Sequence, residues 1–100
     1  MDEKIIAVKI HDLDNVAAVF SDVPKGDTVE VVDKKGNRFD VTVKDDVPFG
    51  HKFAIAPIKK GEQITKYGEE IGVASMDIET GDYVHVHNLE STRGRGDLNK

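Results

Sequence analysis

Short runs of β-branched residues alternate with glycine- and proline-containing turns along most of this 100-residue chain. Valine and isoleucine outnumber strong helix formers in the apolar runs, which is typical of strands. Six runs are predicted to be strands: KIIAVKI, TVEVVD, RFDVTV, KFAIAPI, IGVASM and DYVHVHNL. The segment DKKGNRF, between the second and third runs, predicts a hairpin that turns at Gly36-Asn37.

Two other segments predict short helical turns. DLDNVAAVF offers Asp14 or Asn15 as an N-cap, and TKYGEEIG is short and interrupted by Gly68. A chain of this length suits one small domain with a single modest core. The expected fold is therefore a mainly β domain with one or two short helical turns.

An internal repeat recurs at the turns. Each copy has a glycine before two mixed positions and an apolar residue, and three copies also begin with aspartate, as seen in DVPKGDTV (22–29), DVPFGHKF (46–53), PIKKGEQI (57–64) and DIETGDYV (77–84). We expect each glycine to adopt a positive φ and each turn to be followed by a strand. The residue after the glycine is acidic in three copies but is His51 in the DVPFGHKF copy. Turn geometry therefore accounts for Gly50 and leaves His51-Lys52 unexplained.

Composition narrows the classes of function. The net charge of −5 argues against nucleic-acid binding as the main task, and the absence of cysteine removes disulfides, thiolate metal sites and cysteine nucleophiles. The start MDEKIIAVKI has no long apolar run, so neither a signal peptide nor a membrane span is expected. We expect a cytoplasmic protein.

The pair His51-Lys52 is the first candidate for chemistry. It combines a group that titrates near neutrality with a cation, which suits binding a carboxylate while a proton moves. An exposed polar turn explains the same residues about equally well.

The other histidines suggest metal sites. His85 and His87 alternate in YVHVHN, so they are predicted to share one face of a strand as half of a metal site, or to form part of a polar surface. His11, Asp12, Asp14 and Asn15 lie in a short loop that predicts a helix cap or an Asx turn. The alternative is that the imidazole and a carboxylate of this loop bind a divalent metal such as iron or manganese.

The C-terminal segment ESTRGRGDLNK, with Arg93 and Arg95, is polar and glycine-containing. It is either a frayed terminus or a segment that orders on a partner. The predicted organisation is a domain over residues 1–90 followed by a polar tail over residues 91–100.

Four motifs resemble the small domain of the altronate and galactarate dehydratase family: HDLDNVA, VPFGHKFAI, ITKYGEEIG and GDYVHVHNLES followed by GRGD. The similarity runs from about Ile6 to Asp97. In some members of this family the domain begins a long chain, and in others it is a separate small subunit. A related small subunit belongs to the sulfolactate sulfo-lyases.

The resemblance implies an SAF-type β-clip of short bent strands. It also implies β-elimination of water from a sugar acid, giving a 2-keto-3-deoxy acid, with ferrous iron as the usual metal and manganese as another possibility. The expected partner is a large dehydratase subunit, docked by the segment from Arg93 to Asp97, without which the chain is expected to be inactive. The alternatives are a sulfo-lyase small subunit and a non-catalytic module that binds a sugar acid or a metal.

The resemblance also implies roles for particular residues. His51 is expected in proton transfer or ligation, and Lys52 in carboxylate binding. The remaining expected site residues are Asn15 and Tyr67 for substrate, and His11, Asp14, His85 and His87 for metal. The HVHN motif fits altronate-type and free-standing members, whereas galactarate-type members lack it.

Overall fold

The β-rich prediction is confirmed by the computed structural model, which describes residues 5–91. These residues contain nine strands and no helix: β1 Ile5–Lys9, β2 Val16–Ala18, β3 Thr28–Asp33, β4 Arg38–Thr42, β5 Lys52–Ala54, β6 Gln63–Lys66, β7 Glu69–Ala74, β8 Tyr83–Val84 and β9 Leu89–Glu90. Within this range there is thus no helix that could cross a membrane. Apart from Ser91, the predicted docking tail with Arg93 and Arg95 lies outside the described residues.

The nine strands form three three-stranded sheets, with the orders β1-β3-β4, β2-β5-β8 and β6-β7-β9. Strands β1 and β3 are parallel, and the other neighbours are antiparallel. The predicted hairpin at Gly36-Asn37 is confirmed as the β3–β4 connection. The carboxylate of Asp33 stabilises it by accepting hydrogen bonds from the backbone and side-chain nitrogens of Asn37 at 2.8 and 3.0 Å.

The two predicted helical turns were wrong. The segment after Asn15 is strand β2, because it pairs antiparallel with β5, and this tertiary pairing outweighs the local capping signal. TKYGEEIG forms the β6–β7 hairpin instead. Its two-residue turn has positive φ at Tyr67 (57°) and Gly68 (77°), as a type I′ turn requires.

The four repeated turns have the predicted geometry: φ is 93° at Gly26, 80° at Gly50, 89° at Gly61 and 96° at Gly81. In each turn the residue after glycine donates its N–H to the carbonyl three positions earlier, as His51 does to Pro48 at 3.0 Å. Glycine at the third position with such a φ defines a type II turn.

The turns associate in pairs through reciprocal backbone hydrogen bonds. Val23 and Val47 exchange two N–H···O bonds of 2.8 Å, which joins the first turn to the DVPFG turn. Ile58 and Ile78 exchange bonds of 2.9 and 2.7 Å, which joins the other two turns. These two pairs of hydrogen bonds, which we call the Val23–Val47 and Ile58–Ile78 crossings, connect short strands into the bent β architecture that the resemblance implies.

The buried residues form two clusters on either side of the β2-β5-β8 sheet. Alternation along β5 places Phe53 in the first cluster, which contains the Val23–Val47 crossing, and Ala54 in the second, which contains the Ile58–Ile78 crossing. His51 directly precedes β5, and Lys52 is the first residue of this strand. The strand that presents them is fixed by burial on both faces.

Candidate functional site

His51 stands where two other turns use an acid to cap themselves. Glu62 accepts the N–H of Lys59, the first residue of its turn, at 2.8 Å, and Asp82 caps its own turn in the same way at 2.8 Å. The turn before His51 begins with Pro48, which has no N–H to cap. A histidine therefore replaces the acid here without leaving a turn donor unpaired.

The imidazole of His51 contacts Tyr83, a residue that the sequence did not single out. The Tyr83 hydroxyl lies 2.6 Å from His51 Nδ1. Tyr83 pairs with Phe53 across β5 and β8, and it packs half-buried against the first cluster. No local pattern in the sequence predicts this contact, because it depends on the pairing of β5 with β8.

His85 and His87 do not alternate along a strand, so that prediction was wrong. Strand β8 ends at Val84, and the next four residues turn, with the N–H of Asn88 donating to the carbonyl of His85 at 3.0 Å. The buried Asn88 side chain fixes this turn by accepting the N–H of His85 at 3.0 Å and donating to the carbonyl of Tyr83 at 2.8 Å. Both imidazoles nevertheless lie near Tyr83, each with 5.6 Å between ring centroids.

The ring centroids of His51 and His85 lie 5.0 Å apart, and the two ring planes are tilted by 53°. The pKa of His85 is lowered, first because the ring is partly withdrawn from water and then because His51, Lys52 and His87 surround it. His85 is therefore held towards its neutral form by its neighbours.

Lys52 lies opposite Val84 in the β5–β8 register, half-buried at the end of the strand. Burial lowers the pKa of Lys52, and the nearby ammonium of Lys66 lowers it further. Sequence reasoning missed Lys66, although it directly precedes the Tyr67-Gly68 motif. The alternation in QITK would have placed it on the same side as the buried Ile64.

Tyr67 stands exposed at the β6–β7 turn, where its positive φ is unusual for a bulky residue. The Lys66 ammonium lies 4.8 Å from the centre of the Tyr67 ring. Lys66 thus links the predicted substrate residue Tyr67 to Lys52.

Asp14 and His11 contact Gly68 in the turn of the same hairpin. The buried Asp14 carboxylate accepts the N–H of His11 at 3.1 Å and the N–H of Gly68 at 2.8 Å. The His11 ring packs so closely on Gly68 that a Cβ there would lie 2.7 Å from His11 Cδ2. Asp14 therefore ties the loop to the hairpin, and its role as a metal ligand stays a prediction.

Asn15 has a similar structural task. Its Oδ1 accepts the N–H of Thr65 at 2.8 Å, and its Nδ2 donates to the carbonyl of Gln63 at 3.0 Å. Both polar ends of the side chain hold β6, so substrate binding through Asn15 also stays a prediction.

The predicted residues therefore fall into two groups. His51, Lys52, His85 and His87 lie with Tyr83 at the paired ends of β5 and β8, which we call the β5–β8 site, whereas His11, Asp14, Asn15 and Tyr67 lie around the β6–β7 turn. Nowhere between residues 5 and 91 do three histidine or acidic side chains converge in a way that could hold a metal ion.

The fold and the site define a class: a small all-β domain that presents histidines and lysines at the ends of two paired strands. The chain belongs to the altronate/galactarate dehydratase SAF domain family, because the sequence model of that family matches residues 5–92. The SAF-type fold expected from the resemblance is thereby confirmed.

Individual relatives agree with this assignment. The chain is 46% identical to altronate dehydratase of Escherichia coli (strain K12) and 40% identical to that of Bacillus subtilis (strain 168), each over 84 residues. These alignments cover 84% of this chain but only 16% of either dehydratase. The chain is also 41% identical over 63 residues to (2R)-sulfolactate sulfo-lyase subunit alpha of Paracoccus pantotrophus, covering 63% of this chain and 94% of that subunit.

Proposed function

We propose that this chain is the small subunit of a two-component lyase that eliminates water from a sugar acid of the altronate type. Its β5–β8 site, together with Lys66, binds the substrate carboxylate and moves a proton. The complete active site forms with a large dehydratase subunit, in the cytoplasm.

The observation that carries this proposal is a concentration of basic groups in an acidic protein. The net charge is −5, yet the Lys52 ammonium lies close enough to that of Lys66 for the two to repel each other, and it also lies near His85, whose ring is close to His51 and His87. The ion pairs Lys35–Asp12, Arg38–Glu30 and Lys44–Glu79 involve other residues. A substrate carboxylate beside the two ammonium groups would offset their mutual repulsion, so binding of an anion at this pair is electrostatically favourable.

The reaction needs two proton movements. A base removes the proton on the carbon next to the carboxylate, and the hydroxyl of the neighbouring carbon leaves with a proton as water. The resulting enol rearranges to the 2-keto-3-deoxy acid. We assign carboxylate binding to Lys52 with Lys66 and one of the proton transfers to His51, while the other transfer belongs to the large subunit.

A ferrous or manganous ion remains a proposal for the assembled enzyme. The donors in residues 5–91 do not fit such an ion by themselves: both oxygens of Asp14 accept backbone N–H bonds, and His51 Nδ1 is hydrogen-bonded to Tyr83. We therefore derive no step through a metal held by this chain.

The test is reconstitution of the purified chain with the large dehydratase-type chain of its own organism, assayed with ferrous iron and altronate. The keto-deoxy acid is expected from the mixture and from neither component alone. Absence of product from the mixture, or full activity of the large chain alone, would refute the proposal.

Two variants with matched controls locate the site. His51→Gln is expected to lower kcat by about 10²-fold or more, the usual contribution of a proton-transfer group. Its control is Asp27→Asn, at the equivalent position of the first turn, which should leave kcat unchanged. Lys52→Met should mainly raise KM, and its control Lys60→Met, on an exposed turn, should not. An unaltered kcat in His51→Gln would remove that residue from the site.

A sulfo-lyase is the second candidate function. Two neighbouring ammonium groups also suit a substrate with two anionic groups, such as a sulfonate and a carboxylate, and one relative is a sulfolactate sulfo-lyase subunit. Sulfite release from (2R)-sulfolactate by the reconstituted pair, without turnover of altronate, would favour this candidate. Tight calorimetric binding of sugar acids by the chain alone, without turnover in the mixture, would instead indicate a non-catalytic module.

A further inference from the structure

We propose that Tyr83 is a positioning residue that holds His51 with the proton on Nε2, so that His51 acts as a proton donor and not as a base or a metal ligand. The use of this proton in the elimination rests on the proposed function, whereas the position of the proton on the ring does not.

Both members of the pair are fixed by their backbones. The carbonyl of His51 accepts the N–H of Val19 at 2.9 Å. The carbonyl of Tyr83 accepts the Nδ2 of the buried Asn88 at 2.8 Å, and the Tyr83 ring packs on the first buried cluster. The 2.6 Å contact between the hydroxyl and Nδ1 therefore joins two held groups.

The chemistry of the contact assigns the proton. The hydroxyl of Tyr83 has one hydrogen to donate, and a neutral imidazole accepts only at the nitrogen that carries no proton. The hydroxyl of Tyr83 lies against Nδ1. A phenol O–H is a stronger donor than a neutral imidazole N–H, and an imidazole nitrogen is a stronger acceptor than a phenol oxygen, so the favoured arrangement has Tyr83 donating to Nδ1 and the ring proton of neutral His51 on Nε2. When the ring gains a second proton, Nδ1–H donates to the phenol oxygen and Nε2 still carries a proton. Nε2 is a donor in both states.

His85 supports this arrangement from the other side. Its ring is stacked on Tyr83 with an interplanar angle of 9°, and its centroid lies 5.0 Å from that of the tilted His51 ring. The lowered pKa of His85 keeps a second positive charge away from His51 when His51 is protonated.

In the elimination, the imidazolium of His51 gives its Nε2 proton to the departing hydroxyl, which leaves as water. The ring is left neutral with its proton on Nδ1, donated to the oxygen of Tyr83, which is the less favoured tautomer in this contact, so Nε2 takes up a proton again. The proton from the carbon next to the carboxylate goes to a base on the large subunit. His51 recovers its proton from solvent before the next turnover.

The experiment is nitrogen-15 NMR of the imidazole rings in the whole chain, at a pH of about 8 where an ordinary histidine is neutral. The wild-type spectrum is expected to show His51 protonated on Nε2, and Tyr83→Phe should shift His51 towards a mixture of both tautomers. His11 is the internal control, because its Nδ1 accepts the N–H of Leu13 at 3.1 Å and its tautomer should not change.

A wild-type His51 protonated on Nδ1 would overturn the inference, and so would identical His51 signals in the wild type and in Tyr83→Phe. The wild-type spectrum alone decides the tautomer if the variant fails to fold. The expected tautomer together with inactivity of the reconstituted pair would refute the proposed function and leave this inference standing.

Discussion

Pro48 begins the turn before His51, as Pro24 begins the turn before Asp27, and neither proline offers an N–H to a capping side chain. The side chain three positions after each proline therefore has no N–H of its own turn to accept, unlike Glu62 and Asp82 in the other two turns. The His51 side chain instead forms a hydrogen bond with the hydroxyl of Tyr83. The residue that departs from the repeat thus has a physical reason for its position.

His85 should make the stability of the domain depend on pH. Its pKa is lowered in the folded state, so the unfolded chain binds more protons between that lowered value and the ordinary 6.5. The contribution of His85 is complete above pH 6.5 and is lost as the pH falls through the folded pKa. We expect His85→Asn to lose less unfolding free energy than the wild type between about pH 7 and pH 5.

Urea unfolding of both proteins at several pH values measures this difference. The backbone bonds of residue 85 with Asn88 do not depend on the imidazole, so the comparison isolates the ring. Equal pH slopes for the two proteins would contradict the prediction.

The leading aspartates of the repeat join the turns to one another. Asp22 Oδ1 accepts the N–H of Phe49 at 2.8 Å, and Asp46 Oδ1 accepts the N–H of Lys25 at 2.8 Å, so the first pair of turns is reciprocal. In the second pair only Asp77 makes this bond, because Pro57 stands at the matching position. The missing aspartate of the PIKKG copy therefore removes one bond and leaves the turn intact.

The acid after the turn glycine should matter only where the turn begins with a residue that has an N–H. Asp82 Oδ2 accepts the N–H of Glu79 at 2.8 Å, whereas Asp27 follows a turn that starts with Pro24. We expect Asp82→Ala to lower the unfolding free energy by about 1 kcal/mol, a typical net value for one hydrogen bond. Asp27→Ala should change it by less than about 0.5 kcal/mol.

Chemical denaturation of the two variants beside the wild type measures both values. The pair is matched in residue type and in turn position. Equal losses in the two variants would show that capping does not distinguish these positions.

The sequence predicted elements well where the signal was local. The hairpin at Gly36-Asn37 and the four glycine turns depend on the φ preferences of a few adjacent residues, and all were confirmed. Strand β2 and the turn after Val84 were predicted wrongly, because pairing with β5 decides the first and the Asn88 side chain decides the second.

At the scale of the whole molecule, one sheet separates two buried clusters. Strand β5 contributes Phe53 to the first and Ala54 to the second, so neither cluster can lose its packing without disturbing the sheet that the other uses. We therefore expect residues 5–91 to unfold as one cooperative unit.

Ile58→Val, in the second cluster, tests this cooperativity. It should lower the unfolding free energy by about 1 kcal/mol, the usual result of removing one buried methylene. Native-state hydrogen exchange should report the same loss at the amide of Val31 in the first cluster as at Ile64 in the second. Val86→Ala, at a side chain that is 79% exposed, is the control and should change neither amide. A loss confined to Ile64 would instead indicate two independent units.

The sequence by itself determined the fold class, the turn positions and the family, and it singled out His51 and Lys52 as candidate site residues. These follow from periodicity, turn chemistry and motifs, which are properties of neighbouring residues. Only the tertiary structure decided that Tyr83 orients His51, across 32 positions of sequence, and that Lys66 lies by Lys52. Such contacts depend on strand register and on which face each residue takes, and both are set by pairing between distant segments.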